Sequence, residues 1–153
     1  MGDREKSSAD GSAAASGWPT VGPTDRCPCL SGNTYGDCCG PFHTGERQAP
    51  TAERLMRSRY SAFVRGDAAY LLATWHPSTR PAAADLQLDP DQRWYRLDIL
   101  QRTGGGMLDS TGTVEFVARY RLGGERGGRG ERGELHETST FEKVDGQWFY
   151  RAG

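Results

Sequence analysis

The residues best suited to chemistry are four cysteines: Cys27-Pro28-Cys29, then eight residues, then Cys38-Cys39. Thiolates are soft ligands, and a structural Zn²⁺ takes four such donors in a tetrahedron at about 2.3 Å each. Two cysteines one residue apart enter a metal shell from one side. The turn Ser31-Gly32-Asn33 reverses the chain, and Cys38-Cys39 closes the shell. So few large apolar side chains lie in this segment that metal binding would supply its folding free energy. Competing readings of the same thiols are weaker. Disulfides such as Cys27–Cys38 with Cys29–Cys39 suit an oxidising compartment. A redox dithiol would want Cys-x-x-Cys, which is absent. Four unligated thiols packed so closely would be unusual. His43 is the reserve ligand should Cys39 turn away, and otherwise reads as a solvated loop histidine. The expected cofactor is one structural Zn²⁺ per chain, its shell full and closed to substrate. Four thiolates leave it a formal −2, which Arg26 and backbone N–H groups would partly offset.

A second constellation depends on strand alternation. Leu135, Glu137, Ser139 and Phe141 share one face of a strand. If Leu135 and Phe141 face a core, Glu137 lies on that side, where a carboxylate is costly without a partner. Arg59, on the apolar stripe of the preceding helix, is the partner expected inside or at the mouth of a pocket. The alternative has Arg59 snorkelling along its helix and Glu137 at a wet edge. Tyr60, Trp75, His76 and Ser139 complete the candidate lining. Glu137 and His76 are the candidates for proton transfer, with Tyr60, Arg59 or His76 as second group. His76 also suits a helix C-terminus, where a positive imidazole is favoured. His136 alternates away from Glu137. Trp94, Trp148 and Tyr150 read as core or rim aromatics.

These residues need elements to hold them. Residues 1–24 read as a disordered tail, with Trp18 and Val21 its only large apolar residues after Met1. Residues 25–45 hold the cysteines, and 50–153 form an α+β domain. A helix is predicted over Thr51 to Arg65, capped by Thr51 and stopped by Gly66, with Ala52, Leu55, Met56, Tyr60 and Phe63 as its apolar stripe. Asp67 caps a second, short helix that ends by His76-Pro77. Ser78–Leu88 has room for a further helical turn. Period two then predicts strands over 93–102, with Tyr95, Leu97 and Ile99 on one face, over 113–122, 134–144 and 147–151. Asp145-Gly146 signals a hairpin, and Gly123–Gly133 a Gly/Arg/Glu loop. Helices followed by hairpin-linked strands give helices on one face of an antiparallel sheet.

Composition excludes several classes. The chain has 153 residues, 21 of them Gly, and a net charge of −1. No apolar run approaches the roughly 18 residues of a membrane span, and the first 20 residues lack a secretory apolar stretch. A sequence pI near 6.3 opposes general nucleic-acid binding. Arg126, Arg129 and Arg132 in the Gly-rich loop are largely cancelled by Glu125 and Glu131. The expected compartment is the cytoplasm, with no membrane and no nucleic-acid partner. No phosphate loop or nucleophile elbow is present.

The run Asp25-Arg-Cys-Pro-Cys-Leu-Ser-Gly-Asn-Thr-Tyr-Gly-Asp-Cys-Cys-Gly40 resembles the SEC-C motif, the zinc-binding element at the C-terminus of the SecA translocase. Thr51-Ala-Glu-Arg-Leu-Met-Arg-Ser-Arg-Tyr-Ser-Ala-Phe63, Thr74-Trp-His-Pro-Ser-Thr-Arg80 and Leu135-His-Glu-Thr-Ser-Thr-Phe141 look like the YchJ family of bacterial proteins. The resemblance spans residues 25–152 and implies a SEC-C element followed by a nuclear transport factor 2/ketosteroid isomerase-like cone, a bent sheet closed by helices. Such cones commonly pair through the sheet, so a homodimer is a further expectation. The resemblance carries over no established activity. Leu30 stands where the motif usually has Gly, Asn33 where it has Lys, and Cys39 where SecA has His. Gly36-Asp37 replaces basic residues that in SecA serve a partner such as SecB, which argues against that partner here. The combined reading is a zinc-binding, non-catalytic adaptor or binding protein, contacting an unknown protein partner through the zinc element or a small ligand through the cone. The alternative is a cofactor-independent lyase or isomerase using Glu137 or His76.

Overall fold

The computed structural model describes residues 17–123 and 131–153. Residues 1–16 of the expected tail and 124–130 of the expected loop, with Glu125, Arg126 and Arg129, lie outside the described residues.

Thr51 caps the long helix through its side chain, which accepts a hydrogen bond from the Arg54 N–H. Gly66 ends it in the left-handed region at φ 72°. We call this helix, Ala52–Arg65, α2; the four-residue α1, Gly40–His43, precedes it. Asp67 accepts from the Tyr70 N–H and starts α3, Ala68–Ala73. A single 3₁₀ turn, Ala83–Asp85, occupies the stretch after Pro81.

Four antiparallel strands follow in sequential order: β1 Gln92–Gly104, β2 Thr111–Leu122, β3 Arg132–Val144 and β4 Gln147–Ala152. Asp145 and Gly146 both take positive φ, 52° and 82°, as a tight two-residue hairpin requires. β2 follows its alternation, with Val114, Phe116 and Ala118 buried. β1 does not. Register shifts between Trp94 and Arg96 and between Ile99 and Gln101 interrupt its pairing with β2. The first shift leaves Tyr95 unpaired and exposed, and puts Trp94 with Leu97 on the inner face. Strict alternation therefore placed Tyr95 on the wrong face; a bulge inserts one residue and bends the strand. The outer sheet face is charged, with Arg119 paired to Glu134 and His136 to Glu115.

The core runs without a break from the cysteines through Phe42 and Leu55 to Leu97, Phe116, Phe141 and Trp148. Residues 17–24 differ from the tail expected there. Val21 packs on the core, and the Trp18 ring lies against Gly66, where an added Cβ would come within 2.3 Å of it. Among the described residues no helix is long and apolar enough to cross a membrane.

Candidate functional site

The cysteine segment is built by backbone. The Cys27 N–H bonds the Asn33 carbonyl at 2.9 Å and the Leu30 N–H bonds the Cys27 carbonyl at 3.0 Å, so the chain doubles back around Gly32 at φ 97°. A 3₁₀ turn, Tyr35–Asp37, then delivers Cys38 and Cys39. All four thiols are buried, and their Sγ atoms lie within 4.8 Å of one another. The Cys29–Cys38 separation is 3.6 Å and Cys38–Cys39 is 4.0 Å. A tetrahedral ion with thiolates at 2.3 Å sets its sulfurs about 3.8 Å apart. The donor set therefore fits a metal ion.

Electrostatics point the same way. Hydrogen bonds from Cys27 and Cys39 pull the Cys29 thiol far down. Burial pushes Cys38 up to about 11, and hydrogen bonding with Cys27 and Cys29 pushes Cys39 up. Burial makes additional thiolates costly in this nest, and a cation among the sulfurs would offset that cost. Ser31 and Ser61 serve as outer partners: Ser31 Oγ is 3.1 Å from Cys38 Sγ, and Ser61 Oγ donates to Cys39 Sγ at 3.4 Å. Arg57 donates to the Cys29 carbonyl at 2.7 Å, and among the described residues no such hydrogen bond ties the Arg26 side chain to the cluster. Arg57 escaped the sequence reading because it belongs to α2, which only the tertiary fold brings to the cysteines.

His43 lies outside the group of clustered sulfurs, and it is not free in solvent. Its Nε2 lies 2.8 Å from the Ser58 carbonyl, an acceptor only, so Nε2 carries the proton. Nδ1 then accepts from the Tyr35 hydroxyl at 2.6 Å. The imidazole thus joins the cysteine segment to α2, and Tyr70 packs edge-on against it at 4.6 Å.

The opposite side of α2 roofs a cavity of about 190 Å³. Met56, Arg59, Tyr60 and Phe63 line it from the helix, Trp94 from β1, Phe116 and Ala118 from β2, Glu137, Ser139 and Phe141 from β3, with Trp75 and Tyr150. Five of the six expected lining residues meet there: Arg59, Tyr60, Trp75, Glu137 and Ser139.

His76 does not. The His76 N–H bonds the Tyr150 carbonyl and the Tyr150 N–H bonds the Thr74 carbonyl, so this short extended stretch runs beside β4. Extended neighbours point to opposite sides. Trp75 faces inward, and His76 faces outward against Phe149, with Nε2 3.3 Å from Glu142 and Nδ1 accepting from Ser78. The helix-end reading of His76 also fails, because α3 stops at Ala73.

Arg59 and Glu137 share the cavity but form no ion pair within 4 Å. Arg59 is 5% exposed and donates through Nη1 to the Leu71 carbonyl and to Thr74 Oγ1, each at 2.7 Å. Its guanidinium stacks over Tyr150 at 4.4 Å and Trp75 at 5.2 Å. Burial lowers it to about 10, so it remains a cation at neutral pH. Glu137 accepts a 2.8 Å hydrogen bond from Ser139. Burial pushes the Tyr60 and Tyr150 hydroxyls up, keeping them protonated. The Trp75 indole N–H is buried with no partner among the described residues.

Comparison with known proteins follows this division. Residues 51–153 match the family described as YchJ, middle NTF2-like domain, and residues 24–41 match the SEC-C motif. A UPF0225 protein of Streptomyces coelicolor is 54% identical over 131 residues, covering 86% of this chain and 96% of that one. One from Corynebacterium glutamicum is 56% identical over 128 residues, covering 84% and 95%. The solution structure of a SEC-C motif-containing protein from Rhodopseudomonas palustris aligns with TM-score 0.68 at 36% identity, covering 83% of this chain and 95% of that one. The crystal structure of a SEC-C motif-containing protein from Psychrobacter arcticus gives 0.64 at 27%, covering 84% and 81%.

Proposed function

The chain belongs to the YchJ-like (UPF0225) family of bacterial proteins, and from that premise we propose that it is a non-catalytic binding protein, braced by one structural Zn²⁺ and receiving a small ligand in the cone. Cys27, Cys29, Cys38 and Cys39 would hold the ion. Four unpaired thiols suit a reducing compartment such as the cytoplasm. The observation that carries the reading is the separation of the two features by α2. The sulfurs are enclosed on one side, while the cavity opens on the other with aromatic walls and the buried cation Arg59. A closed thiolate shell braces, and an apolar cavity with few polar groups binds.

A lyase or isomerase using Glu137 or His76 has less support, because proton transfer needs a second positioned group beside the base. His76 faces away, and among the described residues Glu137 is hydrogen-bonded only to the Ser139 hydroxyl, while Tyr60 and Arg59 share the cavity without a hydrogen bond to it. A protein partner at the zinc element stays within the proposal. A homodimer through the sheet would have to bury the Arg119–Glu134 and His136–Glu115 pairs.

Elemental analysis of protein purified under reducing conditions should find one zinc per chain, lost in Cys29→Ser. A folded, metal-free protein with four alkylatable thiols would remove the metal half. For the cavity, ligand-observed NMR with small aromatic compounds should give saturation transfer from the wild type to the ligand and none from Ala118→Phe, which fills the space. Equal signals from both would remove the cavity half.

A further inference from the structure

We propose that the cone selects small organic monocarboxylates, the carboxylate meeting Arg59 and an aromatic or branched body lying among Tyr60, Phe63, Trp94 and Phe116. This deepens the cavity reading and rests on it.

Arg59 is a buried cation whose two hydrogen-bond acceptors, the Leu71 carbonyl and the Thr74 hydroxyl, are both neutral. Both bonds use Nη1, and among the described residues no carboxylate lies within 4 Å of the guanidinium. Buried charges are ordinarily paired, since desolvation without a counter-charge is costly. The Tyr150 and Trp75 faces offset part of that cost. A structural duty explains part of the arrangement, because Arg59 anchors a carbonyl in the last turn of α3, where a cation is favoured. That duty occupies one nitrogen. Nε and Nη2 have no protein acceptor among the described residues, and Arg59 lines the cavity. A guanidinium presents its donors as a fork that matches a carboxylate.

The walls define the rest of the ligand. Tyr60 and Phe63 pack against Trp94, with ring centroids 6.5 and 6.2 Å apart. A space of about 190 Å³ accommodates one ring or a short branched chain, not a nucleotide. Glu137 sets the charge limit. It is the one carboxylate lining the cavity among the described residues, so a second negative charge on the ligand meets repulsion there. The site therefore favours a monoanion over a dianion.

Benzoate, benzamide and phthalate separate these terms, being an aromatic monoanion, its neutral isostere and a dianion. Titration of the full zinc-loaded chain, read by tryptophan fluorescence and saturation-transfer NMR, should give benzoate about tenfold tighter binding than benzamide, with phthalate weaker than benzoate. Arg59→Met should bring benzoate and benzamide to parity, and Glu137→Gln should raise phthalate towards benzoate. If Arg59→Met does not fold, the wild-type order together with Glu137→Gln decides. Equal binding of benzoate and benzamide to the wild type overturns the proposal and leaves the cavity reading standing. Binding of none of the three, with the Ala118→Phe control indistinguishable from wild type, overturns both.

Discussion

Leu30 holds φ at 65° in the turn after Cys27-Pro28-Cys29, and its side chain is exposed. A left-handed conformation costs a non-glycine residue about 1–2 kcal/mol, and glycine gives back about 0.5–1 kcal/mol of that through its freer unfolded chain. Leu30→Gly should therefore stabilise the metal-loaded protein by about 0.5–1 kcal/mol, seen as a higher midpoint in thermal or urea melts. A lower midpoint would mean the leucine side chain has a packing role. His43 supplies a second test at this scale. Burial holds its pKa below the usual 6.5, and Nδ1 faces the Tyr35 hydroxyl and the Arg65 guanidinium, 3.2 Å away. A proton there would replace an acceptor with a donor beside a cation. The unfolded chain binds that proton more readily, so this contribution is complete above pH 6.5 and is lost as pH falls from 6.5 towards the folded pKa. In parallel melts between pH 5 and 7.5, His43→Gln should show a shallower loss of stability on acidification than the wild type. Identical slopes would refute a neutral, buried His43. Lone residues of this kind were the least legible in the sequence. Nothing local to His43 or His76 reveals that Ser58 stands beside one and Glu142 beside the other.

Elements were legible where one periodicity ruled. α2, α3 and the β3–β4 hairpin follow from their caps, stripes and turn residues, because Thr51, Asp67, Gly66 and Asp145-Gly146 act on their immediate neighbours. The face of β1 was misread because a bulge is decided by the partner strand, and alternation counts residues without knowing which are paired. Residues 17–24 were misread because composition weighs a segment alone, whereas Trp18 and Val21 find their burial on α2 and the core. The cysteine cluster was legible because its spacing is one local pattern, and five pocket residues were legible because a helical stripe and a strand alternation each put a charged residue on an apolar face. The aromatic walls were recognised only as aromatics, since the cavity forms where separate elements converge. The packing of Trp18 on Gly66 is testable by itself. Gly66→Ala adds a Cβ both at positive φ and into the indole, so it should cost about 1–2 kcal/mol or more. Trp18→Ala removes the clash but not the backbone strain, so the double variant should be more stable than the sum of the single effects. Strict additivity in urea melts would place Trp18 away from that helix end.

At the scale of the whole molecule, α2 belongs to both functional features. Ser58, Ser61 and Arg57 reach the cysteine segment, while Met56, Arg59, Tyr60 and Phe63 roof the cavity. The cysteines also belong to the same continuous core as Leu97, Phe116 and Trp148. The family matches divide the protein into a motif and a domain, yet a core shared by both predicts that they unfold together. An ion that binds only the folded chain stabilises whatever unfolds with it, in proportion to the logarithm of its free concentration over its dissociation constant. Calorimetry of the metal-loaded protein should then show a single transition, and a chelator should move that whole transition to lower temperature. The fluorescence of Trp75 and Trp94, across α2 from the sulfurs, should follow the same curve. Two transitions, with only the lower one sensitive to the chelator, would mean that the cysteine segment is a passenger and that the cone keeps its shape without it.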